Sequence, residues 1–338
     1  MNMPPRTICP ASAAMLALLC VMSAAPAAPP PARQFDRPLP RLHGLALQVD
    51  QADGLVDRYA GALSEIVAMG ANCVLLSHNL YQAHAGSDMV RADPQRTPEP
   101  AELEQLLELA RSLGLRVVLM PKVLLSAPRG NEWRGKIAPP SWDDWFDQYR
   151  RHVVDISRTA ERARTDVLIV GSELVSTERF TEQWRRIIAD VRAVFGGRLA
   201  YSANWDHYET IAFWDDLDLI GLTTYHQLAD EPGPSAETLV GNWQPIKERI
   251  LQWQRTRDRP ILFTEVGWCS QEGAAIEGWN YYRSKKSTPA ALREQENLYQ
   301  AFIRVWGAEP RVGGIVWWEW TAHSGGPEDY SYTPRGKP

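Results

Sequence analysis

Asp166-Val167-Leu168-Ile169-Val170-Gly171-Ser172-Glu173 and Pro260-Ile261-Leu262-Phe263-Thr264-Glu265 are the two runs on which the reading of this chain turns. Each is short, continuous and rich in Val, Ile and Leu, without alternating polar residues. That is the pattern of a parallel strand buried on both faces. Each closes on a carboxylate, and Val266-Gly267-Trp268 follow the second.

Outward from these runs, strand-like and helix-like segments alternate from Leu42 onward, the mark of a parallel α/β architecture. Strands are expected over Gly44 to Val49, Asn72 to Ser77, Leu115 to Met120, Leu199 to Ala203, Leu217 to Thr223 and Gly313 to Trp318, besides the two quoted. Pro121 should break the third. Helices are expected over Leu55 to Met69, Ala101 to Leu113, Trp142 to Arg162, Thr181 to Phe195, Ala236 to Thr256 and Pro289 to Trp306. A doubly wound sheet would announce a Gly-rich phosphate loop after its first strand. Asp50-Gln51-Ala52-Asp53-Gly54 is not that loop. Eight strands with intervening helices predict a (β/α)₈ TIM barrel. After Trp320 only a polar tail remains, so the last helix is missing or truncated. The leader, a partner or a downstream extension is expected to cover the face between strands eight and one.

Of the 338 residues, 44% are hydrophobic, enough for one large core without a second domain. The net charge of −5 and the absence of a Lys/Arg run give no support for a nucleic-acid partner. Arg6, the apolar run from Ala11 to Ala25 and the small-residue site Ala25-Pro26-Ala27 read as a cleaved signal peptide over residues 1–27. Residues 28–41 read as a Pro/Ala-rich leader and residues 42–338 as a single barrel domain. The expected location is secreted or periplasmic, with no transmembrane segment beyond the signal. Leu19 before Cys20 is too bulky for a lipidation site. Cys73 and Cys269 fall on strands two and seven, which are not neighbours in an eight-stranded barrel, and read as buried free thiols.

Active sites of TIM barrels sit at the carboxyl ends of the strands. Glutamates closing strands four and seven can face one substrate bond across the barrel mouth. Among many aromatics, such a pair suggests glycoside hydrolysis. Retention needs carboxyls about 5 to 5.5 Å apart, one protonated to donate to the leaving oxygen and one ionised to attack the anomeric carbon. Glu173 is read as acid/base and Glu265 as nucleophile. A buried glutamate paired with arginine is the ordinary alternative for either alone, and Glu178 is the best reserve for the proton donor. Sugar rings present an apolar C–H face to flat aromatic platforms. Of the fourteen tryptophans, Trp145, Trp184, Trp253 and Trp306 sit at helical positions and read as core. Trp205, Tyr225, Trp268, Trp279, Trp317 and Trp318 lie near strand ends and read as substrate-binding. Tyr225 can also donate its hydroxyl to Glu265 and hold it ionised. Strand parity sends only one of Trp317 and Trp318 inward, with Trp318 favoured. The seven histidines form no pair suited to a metal, and no cofactor is called for.

With these residues in view, the chain resembles glycoside hydrolase family 113. The resemblance rests on Trp133-Arg134-Gly135-Lys136-Ile137, Gly171-Ser172-Glu173-Leu174, Tyr201-Ser202-Ala203-Asn204-Trp205-Asp206, the block Phe213 to Gly221, Phe263-Thr264-Glu265-Val266-Gly267 and Trp317-Trp318-Glu319-Trp320. It implies retaining hydrolysis of β-1,4-mannan or manno-oligosaccharides, without a cofactor, with Asn204 and Trp205 among the substrate-binding residues. It also implies that Tyr225 and a strand-eight tryptophan line the subsite at the cleavage point. Two departures bear on sugar specificity. Ser172 stands where many members of the wider clan carry an asparagine that binds the sugar 2-hydroxyl, and Trp268 stands where a tyrosine is expected. Another β-linked hexosan is therefore a neighbouring reading, and a non-catalytic carbohydrate-binding barrel is the reading from a different class.

Overall fold

The structure, a computed structural model, describes Met1 and residues 39–338. The expected signal segment beyond Met1, and the leader up to residue 38, lie outside the described residues. Eight parallel strands close into a barrel in sequence order, and β1 pairs with β8 to complete it. They are β1 (Leu42–Leu47), β2 (Cys73–Gln82), β3 (Arg116–Leu125), β4 (Val167–Ser172), β5 (Arg198–Ala203), β6 (Leu219–Thr223), β7 (Ile261–Val266) and β8 (Val312–Trp317). Among the described residues six α-helices pack outside: α1 (Leu55–Ala68), α2 (Pro100–Ser112), α3 (Trp142–Arg162), α4 (Thr181–Arg192), α5 (Ala236–Gln254) and α6 (Pro289–Trp306). Side chains that alternate along each strand fill two separate layers. Leu75, Val118, Ile169, Ala200, Leu262 and Val316 belong to the inner one.

The outer layer, between sheet and helices, takes most of the tryptophans. Trp145 stacks on Tyr149 with centroids 5.2 Å apart. Trp184 stacks on Phe213 at 5.3 Å and meets Tyr201 edge-on at 5.1 Å. Trp145, Trp184 and Trp306 are fully buried there, as their helical positions predict. Such pairs contribute roughly 0.5–1.5 kcal/mol each beyond the area they bury. Three helices start on a hydroxyl that accepts the backbone N–H three residues on: Ser141 for α3, Ser235 for α5 and Thr288 for α6.

Pro121 does not break β3. The strand runs through it to Leu125, and β2 pairs alongside for ten residues. β4 pairs with β3 only at Val118 and Leu119. Beyond that point the β4-facing edge has no ladder bond for proline to remove. Between β5 and β6 the connection contains two 3₁₀ turns, Tyr208–Thr210 and Trp214–Asp216.

Among the described residues no helix follows β8, and the segment after it covers the β8–β1 seam. Trp320 donates its backbone N–H to the Ala46 carbonyl at 2.8 Å and its indole N–H to Glu65 of α1 at 3.0 Å. Arg335 clasps the same carboxylate at 2.7 and 3.0 Å. Of the described residues, Cys73 and Cys269 are buried and free. Among the described residues, no helix is long and apolar enough to cross a membrane.

Candidate active site

The ends of β4 and β7 deliver the two glutamates into one buried polar centre. Glu173 follows the last residue of β4 and is 6% exposed; Glu265, within β7, is 2% exposed. Glu173 adopts a left-handed backbone, φ 51°, which disfavours an L-residue by roughly 1–2 kcal/mol. Its N–H is held by the Ser202 carbonyl at 2.8 Å. The carboxylate is thereby turned off the strand direction. Strain of this kind gathers at functional positions.

Arg134 joins the two acids. It comes from the 3₁₀ turn Arg134–Lys136 between β3 and α3. One guanidinium nitrogen is hydrogen-bonded to Glu173 and lies 3.9 Å from Glu265 Oε1. Tyr225 donates its hydroxyl to Glu265 Oε2 at 2.9 Å. Beneath them, Ser202 and Thr264 share a hydrogen bond of 2.7 Å across the barrel interior. Lys122 of β3 is buried. Its ammonium donates to Gln48 Oε1 at 2.9 Å and stands 4.5 Å from the Trp318 ring centroid. Glu319 is hydrogen-bonded to the same glutamine.

Burial dominates the electrostatics of this centre. It pushes the Glu265 carboxyl up to about 7, and the Glu173 charge adds to the rise. Arg134, Lys122 and the Tyr225 hydroxyl work against it. Burial pulls the Lys122 ammonium down to about 8, against the attraction of Glu265, Glu319 and Glu173. Glu178 has a different environment. Burial first, then the charges of Glu173 and Asp206, lift its carboxyl to about 8. The Tyr201 hydroxyl donates to Glu178 at 2.9 Å and accepts the Leu174 N–H at 3.1 Å. Glu178 thus buttresses the loop that carries Glu173.

The remaining expected site residues divide into those at the centre and those away from it. Trp318 lies in the inner layer with Tyr225, whereas Trp317 packs outward against Tyr299 and Phe302 of α6. Trp205 leans on the inner layer and on His226, 5.1 Å between centroids. Asn204 donates to Asp206 at 2.5 Å. Ser172 is buried opposite Ser202, its hydroxyl without a protein partner. Trp268 and Trp317 are corrected: neither faces the cleft. Trp268 is fully buried against Tyr299 and Phe302. The reason lies one residue earlier. Gly267 passes so close to the Trp318 carbonyl that a Cβ would sit 1.9 Å from its oxygen. The chain there hugs β8, and the next side chain turns toward the helices.

Sequence reading assigned no role to Arg134, Lys122, Gln48, Tyr201 or Tyr332. Lys122 had a signal: it is the one charge in the apolar run Val117 to Leu125. Tyr332 had none. The tail folds back over the barrel mouth and places its ring 6.1 Å from Tyr225. Among the described residues no cluster of His, Cys, Asp and Glu is arranged to hold a metal ion.

This geometry can be set beside known proteins. The model of Glycoside Hydrolase Family 113 matches residues 56–337. The chain belongs to that family. It is similar to a solved GH113 β-1,4-mannanase at 25% identity and TM-score 0.79, covering 88% of this chain and 96% of the other. It is similar also to the GH113 β-mannanase AaManA from Alicyclobacillus acidocaldarius, solved in complex with ManMIm. Identity there is 27% and TM-score 0.78, over 89% of this chain and 95% of that one. The endo-β-1,4-mannanase from Thermotoga petrophila, at 10% identity and TM-score 0.56 over 89% and 73%, shares the fold alone. No curated protein matches the chain. The GH113 chain described here is a glycoside hydrolase, with a carbohydrate as its substrate.

Proposed function

We propose that this GH113 chain cleaves β-1,4-mannosidic bonds in mannan or manno-oligosaccharides with retention, by double displacement. The observation that carries the reading is Arg134, one nitrogen of which lies within ion-pair range of both carboxylates. Two carboxylates that share one guanidinium nitrogen are near neighbours, which supports the close spacing of retaining pairs, roughly 5–5.5 Å, as the reading to test. Glu265 attacks the anomeric carbon while Glu173 gives its proton to the leaving oxygen. The covalent glycosyl ester is then opened by water, which returns a proton to Glu173. The Tyr225 hydrogen bond stabilises Glu265 in the ionised form that attacks. Arg134 is ion-paired with Glu173, so proton donation requires that pair to open, and Glu265 is the other carboxylate within its reach. The mannan preference rests on the GH113 mannanases that the chain resembles. A signal-directed, secreted or periplasmic location accords with a polymeric substrate.

The test is proton NMR of the first product released from soluble mannan, with wild type, Glu173→Gln and Glu265→Gln side by side. Appearance of the β-anomer first, abolished by both substitutions, is expected. First appearance of the α-anomer would refute retention. Turnover that survives both substitutions would refute the catalytic pair.

A further inference from the structure

After β7 the chain makes a loop, residues 267–288, at the end of the barrel where Glu265 lies. Among the described residues, the exposed large aromatics all fall in this loop: Trp279 is 44% exposed, Tyr281 56% and Tyr282 52%. The other exposed large hydrophobics are Met1, Val67, Met69, Met89 and Ile303, none of them aromatic. The aromatic loop is not slack. The Gln271 side chain donates to the Tyr281 carbonyl at 2.8 Å and accepts the Ser284 and Lys285 N–H groups at 2.8 Å each. Glu277 and Arg283 pair across it at 2.7 Å. A loop this well tied could have turned its rings inward, as Trp268 does; instead it presents three to water.

It is also continuous with the catalytic centre. Tyr332 donates its hydroxyl to the Gly278 carbonyl at 3.0 Å, and its ring faces Tyr225, which donates to Glu265. The rigid path from nucleophile to platform is therefore two tyrosines long. Aromatic rings with a polar tip suit a surface that is apolar on one side and wet on the other. A pyranose offers the complement, a C–H face ringed by hydroxyls.

We propose that Trp279, Tyr281 and Tyr282 form a remote subsite that stacks on pyranose rings of a neutral β-linked polysaccharide running out of the cleft. The proposal rests on the glycoside hydrolase reading and extends it to polymer capture. It is tested with Trp279→Ala and the triple Trp279→Ala/Tyr281→Ala/Tyr282→Ala variant. Polymer binding is read by affinity electrophoresis in soluble mannan, β-glucan and xylan, on a Glu265→Gln background. Kinetics are read on mannan and on a short aryl β-mannoside. Expected is loss of retardation by the triple variant and at least a fivefold rise in KM on mannan, with kcat and the aryl mannoside unchanged. Trp279→Ala should show a smaller rise in the same direction. Unchanged KM and retardation would overturn the platform while leaving the enzyme reading intact. So would equal losses on polymer and aryl substrate, which would place the loop's effect at the catalytic centre. Loop-dependent retardation by a chain that hydrolyses neither substrate would overturn the enzyme reading and keep the platform.

Discussion

Replacing Glu178 with glutamine separates a buried neutral carboxyl from a proton donor. Glu178 is 4% exposed, accepts the Tyr201 hydroxyl and has its second oxygen buried without a partner. Burial and the nearby Glu173 and Asp206 charges hold it at about 8, against 4.5 for the free group. That difference favours the neutral form by roughly 5 kcal/mol. Because the folded value is raised, the protein takes up a proton on folding between these limits. The stabilisation from the neutral form is complete below pH 4.5 and is lost as pH climbs toward about 8. At pH 7 wild type has already lost about 3 kcal/mol of it. Glutamine keeps an oxygen for Tyr201 and cannot ionise. The stability of Glu178→Gln relative to wild type should therefore rise by several kcal/mol between pH 5 and pH 8. Urea midpoints of the two proteins at both pH values measure it. Activity on mannan at pH 7 should stay within about threefold of wild type, whereas loss of a general acid costs roughly 10²–10⁴-fold. Parallel pH–stability curves would refute the buried neutral carboxyl. A loss as deep as that of Glu173→Gln would make Glu178 the proton donor instead.

Tyr225→Phe removes a hydrogen bond to a carboxylate, worth roughly 1.5–3 kcal/mol. It should lower kcat/KM by about 10- to 100-fold and move the acid limb of the pH profile upward, because Glu265 loses the donor that favours its ionised form; an unmoved limb would exclude that role. Lys122→Met deletes a positive charge that holds Glu265 down, so the same limb should again rise, and a fall would mean the wrong group is being followed. The limb in wild type should itself lie well above the ordinary glutamate range of about 4.3, since the proposed attack by Glu265 needs it ionised and burial opposes that. Trp268→Phe leaves space in the layer beside α6 and should cost about 1–3 kcal/mol of stability with KM unchanged, whereas Trp318→Phe should raise KM; thermal melts and saturation curves for both variants check the pair.

The barrel was legible because its strands are buried on both faces and so read as continuous apolar runs between helical patterns. What composition alone could not place is what depends on neighbours. Pro121 looks like a strand breaker in one dimension, yet β4 does not reach that far along β3, and no ladder bond is lost there. The cover over the β8–β1 seam is a polar tail without periodicity. Its hold is Trp320 and Arg335 converging on one glutamate of α1, a contact between residues more than 250 positions apart. Local pattern carries no trace of such a pairing.

The candidate site shows the same division at finer scale. A glutamate that ends a strand announces itself, since strand ends are where a TIM barrel gathers its chemistry. An aromatic beside that glutamate does not announce its direction. Trp268 and Trp318 both follow apolar strands, and parity counted from the strand places Trp318 correctly. At Trp268 nearness to the strand end misleads, because β7 shifts register against both its neighbours before Val266 and then passes Gly267 against the Trp318 carbonyl. Each irregularity resets the alternation on which the inference depends. Arg134 is the opposite case. It sits in a turn with no period at all, and only the folded chain brings it between two carboxylates. A lone charge in an apolar strand, as at Lys122, is the one cue that would have added a member to the centre from sequence. Burying that ammonium is unfavourable unless opposite charges surround it, and three of the acids that do so, Glu265, Glu319 and Glu173, all sit at the ends of strands.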